Sequence, residues 1–199
     1  MSLVNFTTRE ITCKIVYYGP GRSGKTTNLH YIYGRVPNDR RGRMVSLATE
    51  NERTLFFDFL PLDLGNISGF TTRFHLYTVP GQVYYDATRK LVLQGADGVV
   101  FVADSQVRQL DENIESLQSL QANLVAMKSD LRTMPMVFQY NKQDLPAELI
   151  LRPDDLDEAL NFWGLPSYAS DALQGKGVFE TLRAISERVL RKLSQEGPR

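Results

Sequence analysis

The segment Gly19-Pro20-Gly21-Arg22-Ser23-Gly24-Lys25-Thr26 combines three glycines, a lysine and a hydroxyl in the order G-x-x-x-x-G-K-[ST]. Glycines let the backbone curl until successive N–H groups face inward, and a helix starting just behind them adds positive potential. Such a loop suits a chain of phosphates. Gly19, Gly21, Arg22, Ser23, Gly24 and Thr27 would form the cradle, and Lys25 would reach the β- and γ-phosphates. The Thr26 hydroxyl is a hard oxygen of the kind Mg²⁺ takes as a ligand.

A second group stands far along the chain, where Asn141-Lys142-Gln143-Asp144 reads N-K-x-D. The Asp144 carboxylate can accept from both N1–H and N2–H of guanine. Adenine offers no such donor pair, so the tetrapeptide selects GTP and GDP over ATP.

Both groups need the same edge of one sheet, and the surrounding residues provide for it. Residues 11 to 18 are a short β-rich apolar run ending at Gly19, and residues 25 to 33 read as a helix. A long polar connection fills residues 36 to 54. Extended stretches at 54 to 60 and 71 to 79 follow, joined through Pro61, Asp63, Gly65, Asn66 and Gly69, which is hairpin-like turn chemistry. After a helix over 83 to 94, the unbroken apolar run 97 to 104 predicts a central parallel strand.

Ile114, Leu117, Leu120 and Leu124 then recur at helical spacing, and residues 135 to 140 give a strand that ends at Asn141. A helix over 154 to 163, a strand over 165 to 169 and a last helix over 177 to 193 complete the alternation. Phe179, Leu182, Ile185, Val189 and Leu193 make the stripe of that last helix. Alternating strands and helices predict a doubly wound, mainly parallel α/β sheet with ligands at the carboxyl ends of its strands.

Composition narrows the partners. The 199 residues carry 23 Lys plus Arg against 23 Asp plus Glu, so no net field favours nucleic acid or an anionic membrane. The lone Cys13 excludes an intrachain disulfide and is expected on a buried strand. There is no signal pattern or long apolar run; Ser2 stands where myristoylation needs glycine, and Glu196-Gly197-Pro198-Arg199 holds no prenylation cysteine. The expectation is one domain over residues 1 to 199 with its last few residues disordered, cytoplasmic, without nucleic acid or direct membrane insertion.

With the phosphate loop and N-K-x-D in this order, the chain resembles the small Ras-like GTPases over residues 11 to 193. The resemblance implies a three-layer P-loop GTPase fold whose mostly parallel six-stranded sheet has one antiparallel strand. It assigns Ser170-Asp171-Ala172-Leu173 to the family's third guanine-site loop, where the Ala172 N–H meets the guanine oxygen. Thr78-Val79-Pro80-Gly81-Gln82 and Glu52-Arg53-Thr54-Leu55-Phe56-Phe57 are similar to the MglA branch, the bacterial polarity and gliding-motility GTPases.

That likeness implies that residues 36 to 54 are switch I, that Thr54 closes on Mg²⁺ and γ-phosphate, and that Arg53 is an arginine finger in cis. The Gly81 N–H would bind γ-phosphate and Gln82 would orient the attacking water. The implied partner is a roadblock-domain regulator, an MglB-like GTPase-activating protein that is usually dimeric, touching the region of Tyr84 and Tyr85. Effectors are not named by the sequence, and recruitment to a cell pole or membrane would come through partners.

Several positions keep two readings. Arg53 has an alternative as a solvated arginine near Arg35, Arg40, Arg41 and Arg43. Residues 55 to 60 are either a plain core strand or an aromatic strand that offers its outward half to a partner. Thr78 departs from the Ras-like pattern, in which an aspartate helps hold Mg²⁺ through a water. The chain is therefore a slow GTP hydrolase acting as a switch, which intact Gly81 and Gln82 favour, or a nucleotide-loaded scaffold without turnover. A P-loop nucleotide kinase has no need of N-K-x-D, and no acceptor site is legible. His30 and His75 lack companions at ligand spacing.

Overall fold

The computed structural model describes residues 3–5, 7–47, 57–67, 69–82, 85–129 and 132–196. In chain order the elements are β1 (Leu3–Asn5), β2 (Glu10–Tyr18), α1 (Lys25–Arg35), β3 (Val45–Leu47), β4 (Phe57–Ile67), β5 (Phe70–Thr78) and α2 (Asp86–Leu93). They continue with β6 (Gly98–Asp104), α3 (Leu110–Ala126), β7 (Met136–Asn141), α4 (Pro153–Leu160), β8 (Ser167–Ser170) and α5 (Val178–Glu196). The strands lie in the order β3-β4-β5-β2-β6-β7-β8, with β1 beside β2.

From β5 to β8 every neighbouring pair is parallel, while β4 runs antiparallel to β5. These six strands are the sheet expected from the sequence. The three-residue strands β1 and β3 extend it, each antiparallel to its neighbour.

One expectation needs correction. The turn read between Pro61 and Gly69 is mostly strand, because β4 continues through Pro61 to Ile67 with a register irregularity between Asp63 and Asn66. Proline fits there because its carbonyl accepts from Gly42 N–H at 2.9 Å, on the side away from β5. Its missing N–H therefore interrupts no β4–β5 bond.

Strand alternation divides the core. Val99, Phe101 and Ala103 of β6 pack with Leu93, Leu117, Leu120 and Leu156 on one face. Val100 and Val102 pack with Leu29, Ile32, Ile185 and Val189 on the other. A strand buried on both sides must be apolar throughout, which is why residues 98 to 104 read as an unbroken run. Cys13 is buried in the second of these layers, and burial pushes its thiol up to about 12. Phe179 departs from the α5 stripe: it is 39% exposed and meets the edge of the Tyr31 ring at 6.2 Å.

Parallel register aligns the strand ends. Tyr17 is opposite Thr78, Tyr18 opposite Phe101, and Asp104, Asn141 and Ser170 form a continuous row across β6, β7 and β8. The loops after β2, β5, β7 and β8 thus leave from one edge of the sheet. No helix among the described residues is long and apolar enough to cross a membrane.

Candidate functional site

The loop between Tyr18 and Lys25 is shaped by left-handed backbone. Arg22 has φ 60°, and Gly24, the residue before α1, has φ 103°. A Cβ on Gly24 would lie 2.1 Å from Asn141 Nδ2, so glycine is required there by conformation and by space. The lysine folds back over the loop it follows: Lys25 Nζ donates to the carbonyls of Gly19 at 3.0 Å and Pro20 at 2.5 Å. Burial pushes this ammonium down to about 7; the Arg89 charge acts in the same direction and Asp58 opposes it.

Beside the loop is a cavity of about 500 Å³ whose lining includes Lys25, Thr26, Ser46, Asp58, Thr78 and Gly81. Thr26 Oγ1 donates to Asp58 Oδ2 at 2.5 Å, Thr78 Oγ1 to the same oxygen at 3.0 Å, and Ser46 Oγ to Asp58 Oδ1 at 2.6 Å. Asp58 is only 9% exposed. The β4–β5 register sets Phe59 opposite Tyr77, which brings Asp58 beside Thr78. A carboxylate thus stands beside the Thr78 hydroxyl, delivered by the neighbouring strand.

Asp58 belongs to no motif in the sequence; the pattern of residues 55 to 60 is chiefly aromatic. The available signal was an aspartate inside a β-rich apolar run, where Asp is disfavoured unless something specific holds it. The aromatic residues flanking it are half-buried. Phe59 packs on Tyr77 at 4.8 Å and on the edge of His75 at 5.1 Å.

Gly81 closes the other side. A Cβ there would stand 2.2 Å from Gly21 Cα, so the segment after β5 rests directly on the phosphate loop. Gln82 follows it with an exposed side chain, and its carbonyl accepts from Tyr85 N–H at 3.2 Å. Arg53, Thr54, Leu55, Phe56 and Tyr84 lie outside the described residues.

At the second group Asn141 acts as a clasp. Its Nδ2 donates to the Ser23 carbonyl at 2.8 Å, while its Oδ1 accepts from Ala172 N–H at 2.9 Å and Ser170 Oγ at 3.1 Å. One side chain therefore ties the phosphate loop to the loop after β8. The Ala172 N–H, expected on the guanine oxygen, is used here on Asn141, and a guanine oxygen would have to share it. The Leu173 N–H is likewise taken by Asp171 Oδ1 at 3.0 Å, and its side chain is 74% exposed.

Lys142 has φ 71° and pairs at 2.5 Å with Asp104, which is 1% exposed. No sequence pattern marks Asp104; the register of β6 against β7 brings it to Lys142. Asp144 is exposed at the same edge, so its carboxylate is open to a base. Phosphate loop, Gly81, N-K-x-D and the Ala172 loop are thus gathered on one rim.

No protein-family model matches the chain. Over 197 residues it is 55% identical to the mutual gliding-motility protein MglA of Myxococcus xanthus (strain DK1622), covering 99% of this chain and 100% of that protein. ADP-ribosylation factor-like protein 6 of Caenorhabditis elegans is 25% identical over 182 residues, 88% of this chain and 85% of the relative. At that identity and coverage, and with this site, the chain belongs to the MglA family of Ras-like small GTPases.

Proposed function

We propose that this GTPase binds GTP and GDP at the rim described above, hydrolyses GTP slowly, and works as a switch in cell polarity or gliding motility. The observation that carries the reading is the Asn141 clasp, which holds the phosphate loop and the guanine loop at one site. Asp144 selects guanine, Lys142 stays aligned by Asp104, and the loop from Gly19 to Thr27 takes the phosphates. The single G domain extends over the chain.

The donor set around Asp58 suits Mg²⁺, since Thr26, Ser46 and Thr78 present hydroxyls and Asp58 a carboxylate, all hard oxygens. Thr26, joined by Thr54, would hold the ion, and Asp58 would stand in for the missing aspartate at position 78. When bound, the ion neutralises charge on the phosphate oxygens.

In hydrolysis a water oxygen bonds to the γ-phosphorus while the bond to the bridging oxygen breaks, leaving that oxygen on GDP. The Gly81 N–H holds the γ-phosphate, Gln82 orients the water, and Arg53 places its guanidinium over the phosphates. A dimeric roadblock-domain protein of the MglB kind serves as the activating partner, and recruitment to a pole would run through such partners. A carboxylate at Asp58 beside Thr78 supports turnover over a nucleotide-loaded scaffold.

The test is phosphate release from bound GTP, with and without a roadblock-domain protein, in wild type, Arg53→Ala and Gln82→Ala. Partner-stimulated release that drops about 10³-fold or more in Arg53→Ala, with nucleotide affinity kept, supports the reading. Protein that retains no guanine nucleotide, or takes ATP equally well, refutes it.

A further inference from the structure

Arg89, in the first turns of α2, is fully buried. Among the described residues no carboxylate lies within ion-pair distance of it; Asp86 and Glu115 act on it only from further away. Burying a cation with no carboxylate beside it costs several kcal/mol, and an apolar side chain of similar volume often serves a fold as well. Stability is therefore a poor reason for an arginine at this position, and its contacts offer another.

Every hydrogen bond of the guanidinium goes to a neutral acceptor. Nε donates to the Pro80 carbonyl at 3.1 Å, and Nη2 to the Gly81 carbonyl at 3.2 Å and to Ser116 Oγ at 3.0 Å. Nη1 donates to Ser119 Oγ at 2.9 Å, and the group lies 4.7 Å from the centre of the Tyr18 ring. Ser119 also bonds Tyr18 OH at 3.1 Å. One planar fork thus spans the end of β2, the segment after β5, and α3.

The two carbonyls belong to consecutive peptide units whose other ends are the N–H groups of Gly81 and Gln82. A trans peptide is planar, with C=O and N–H pointing in opposite directions, and the chain has no cis bond among its described residues. Holding both carbonyls toward α3 turns both N–H groups away from it. Gly81 at the same time rests on Gly21 of the phosphate loop.

We infer that Arg89 is a positioning residue for GTP hydrolysis: through the Pro80 and Gly81 carbonyls, anchored on Ser116 and Ser119, it aims the Gly81 N–H at the γ-phosphate and sets the origin of Gln82. This rests on the proposed roles of Gly81 and Gln82. Because GDP has no γ-phosphate, the residue matters for GTP and for its hydrolysis but not for GDP.

The experiment compares wild type, Arg89→Lys, Arg89→Met and the Ser116→Ala/Ser119→Ala pair. It measures affinity for GDP and for a non-hydrolysable GTP analogue, single-turnover hydrolysis, and Tm. Arg89→Met should keep GDP affinity while the preference for the GTP analogue falls about tenfold and hydrolysis falls about 10²-fold. Arg89→Lys should recover part of both losses, since an ammonium can donate to the carbonyls but lacks the planar fork that ties Pro80 and Gly81 to Ser116 and Ser119 at once.

Equal weakening of both nucleotides with a lowered Tm overturns the proposal in favour of a structural role. An unchanged preference and rate in Arg89→Lys and in the serine pair overturns it as well, and these two variants decide the matter if Arg89→Met does not fold. Failure of the underlying reading is seen separately, in wild type that neither prefers the GTP analogue nor hydrolyses GTP.

Discussion

Thr78 and Asp58 are joined by a reciprocal pair of hydrogen bonds across neighbouring antiparallel strands: Asp58 N–H donates to Thr78 Oγ1 at 2.8 Å, and Thr78 Oγ1 donates to Asp58 Oδ2 at 3.0 Å. The hydroxyl thus orients the carboxylate that stands next to it. With Thr26 on the same oxygen, this β4 carboxylate reaches the start of the helix behind the phosphate loop.

Asp58→Asn should separate metal-dependent from metal-independent binding. GDP affinity in the presence of Mg²⁺ is expected to fall about 10- to 100-fold, the cost of losing an orienting carboxylate near a metal. Affinity measured in a chelator should change little. Equal affinities in both media for wild type and variant would remove Asp58 from the metal's surroundings.

Thr78→Asp restores the residue that most Ras-like chains carry, yet the geometry predicts harm. The new carboxylate would face Asp58 at a position where the present hydroxyl is 3.0 Å away. Two such charges at about 4 Å repel by up to roughly 4 kcal/mol near a protein surface. Tm of the free protein should fall at neutral pH and recover as the pH is lowered and one carboxyl takes up a proton. A raised Tm at pH 7 would contradict this.

Removing the clasp with Asn141→Ala leaves the Ser23 carbonyl and the Ala172 N–H without their partner. The expected loss is about 1 to 3 kcal/mol of stability, read by denaturant unfolding. Nucleotide release should quicken for GTP and GDP alike, because both loops move. Slow release identical to wild type would mean that the loops hold each other by other means.

Lys25 carries the pH dependence. Its folded pKa, about 7, lies below its ordinary 10.5, so between these values the unfolded chain binds the extra proton. The nucleotide-free protein should therefore gain stability as pH rises through that window. Phosphates beside the amine favour its charged form, so binding at pH 8 should take up about one proton and at pH 6 almost none. Calorimetry in buffers of different ionisation enthalpy reads this directly, and no uptake at pH 8 would count against it.

What could be read from the chain alone was whatever depends on neighbours in sequence. The phosphate loop needs its glycines, lysine and threonine within eight consecutive residues, and N-K-x-D needs four, so both are legible without a fold. Apolar runs and helical stripes likewise report their own burial, and the six central strands follow from them.

Only the tertiary structure decided the relationships that cross strands. Asp58 meets Thr78, Asp104 meets Lys142, and Arg89 reaches Pro80, Ser116 and Tyr18 because sheet register and helix packing set them side by side. The course of β4 through Pro61 was also hidden, since a proline's local preference signals a turn, while the strand tolerates it because the missing N–H faces away from β5. Pairing between strands is a property of distance in space, and no pattern along one strand records which residue will stand opposite.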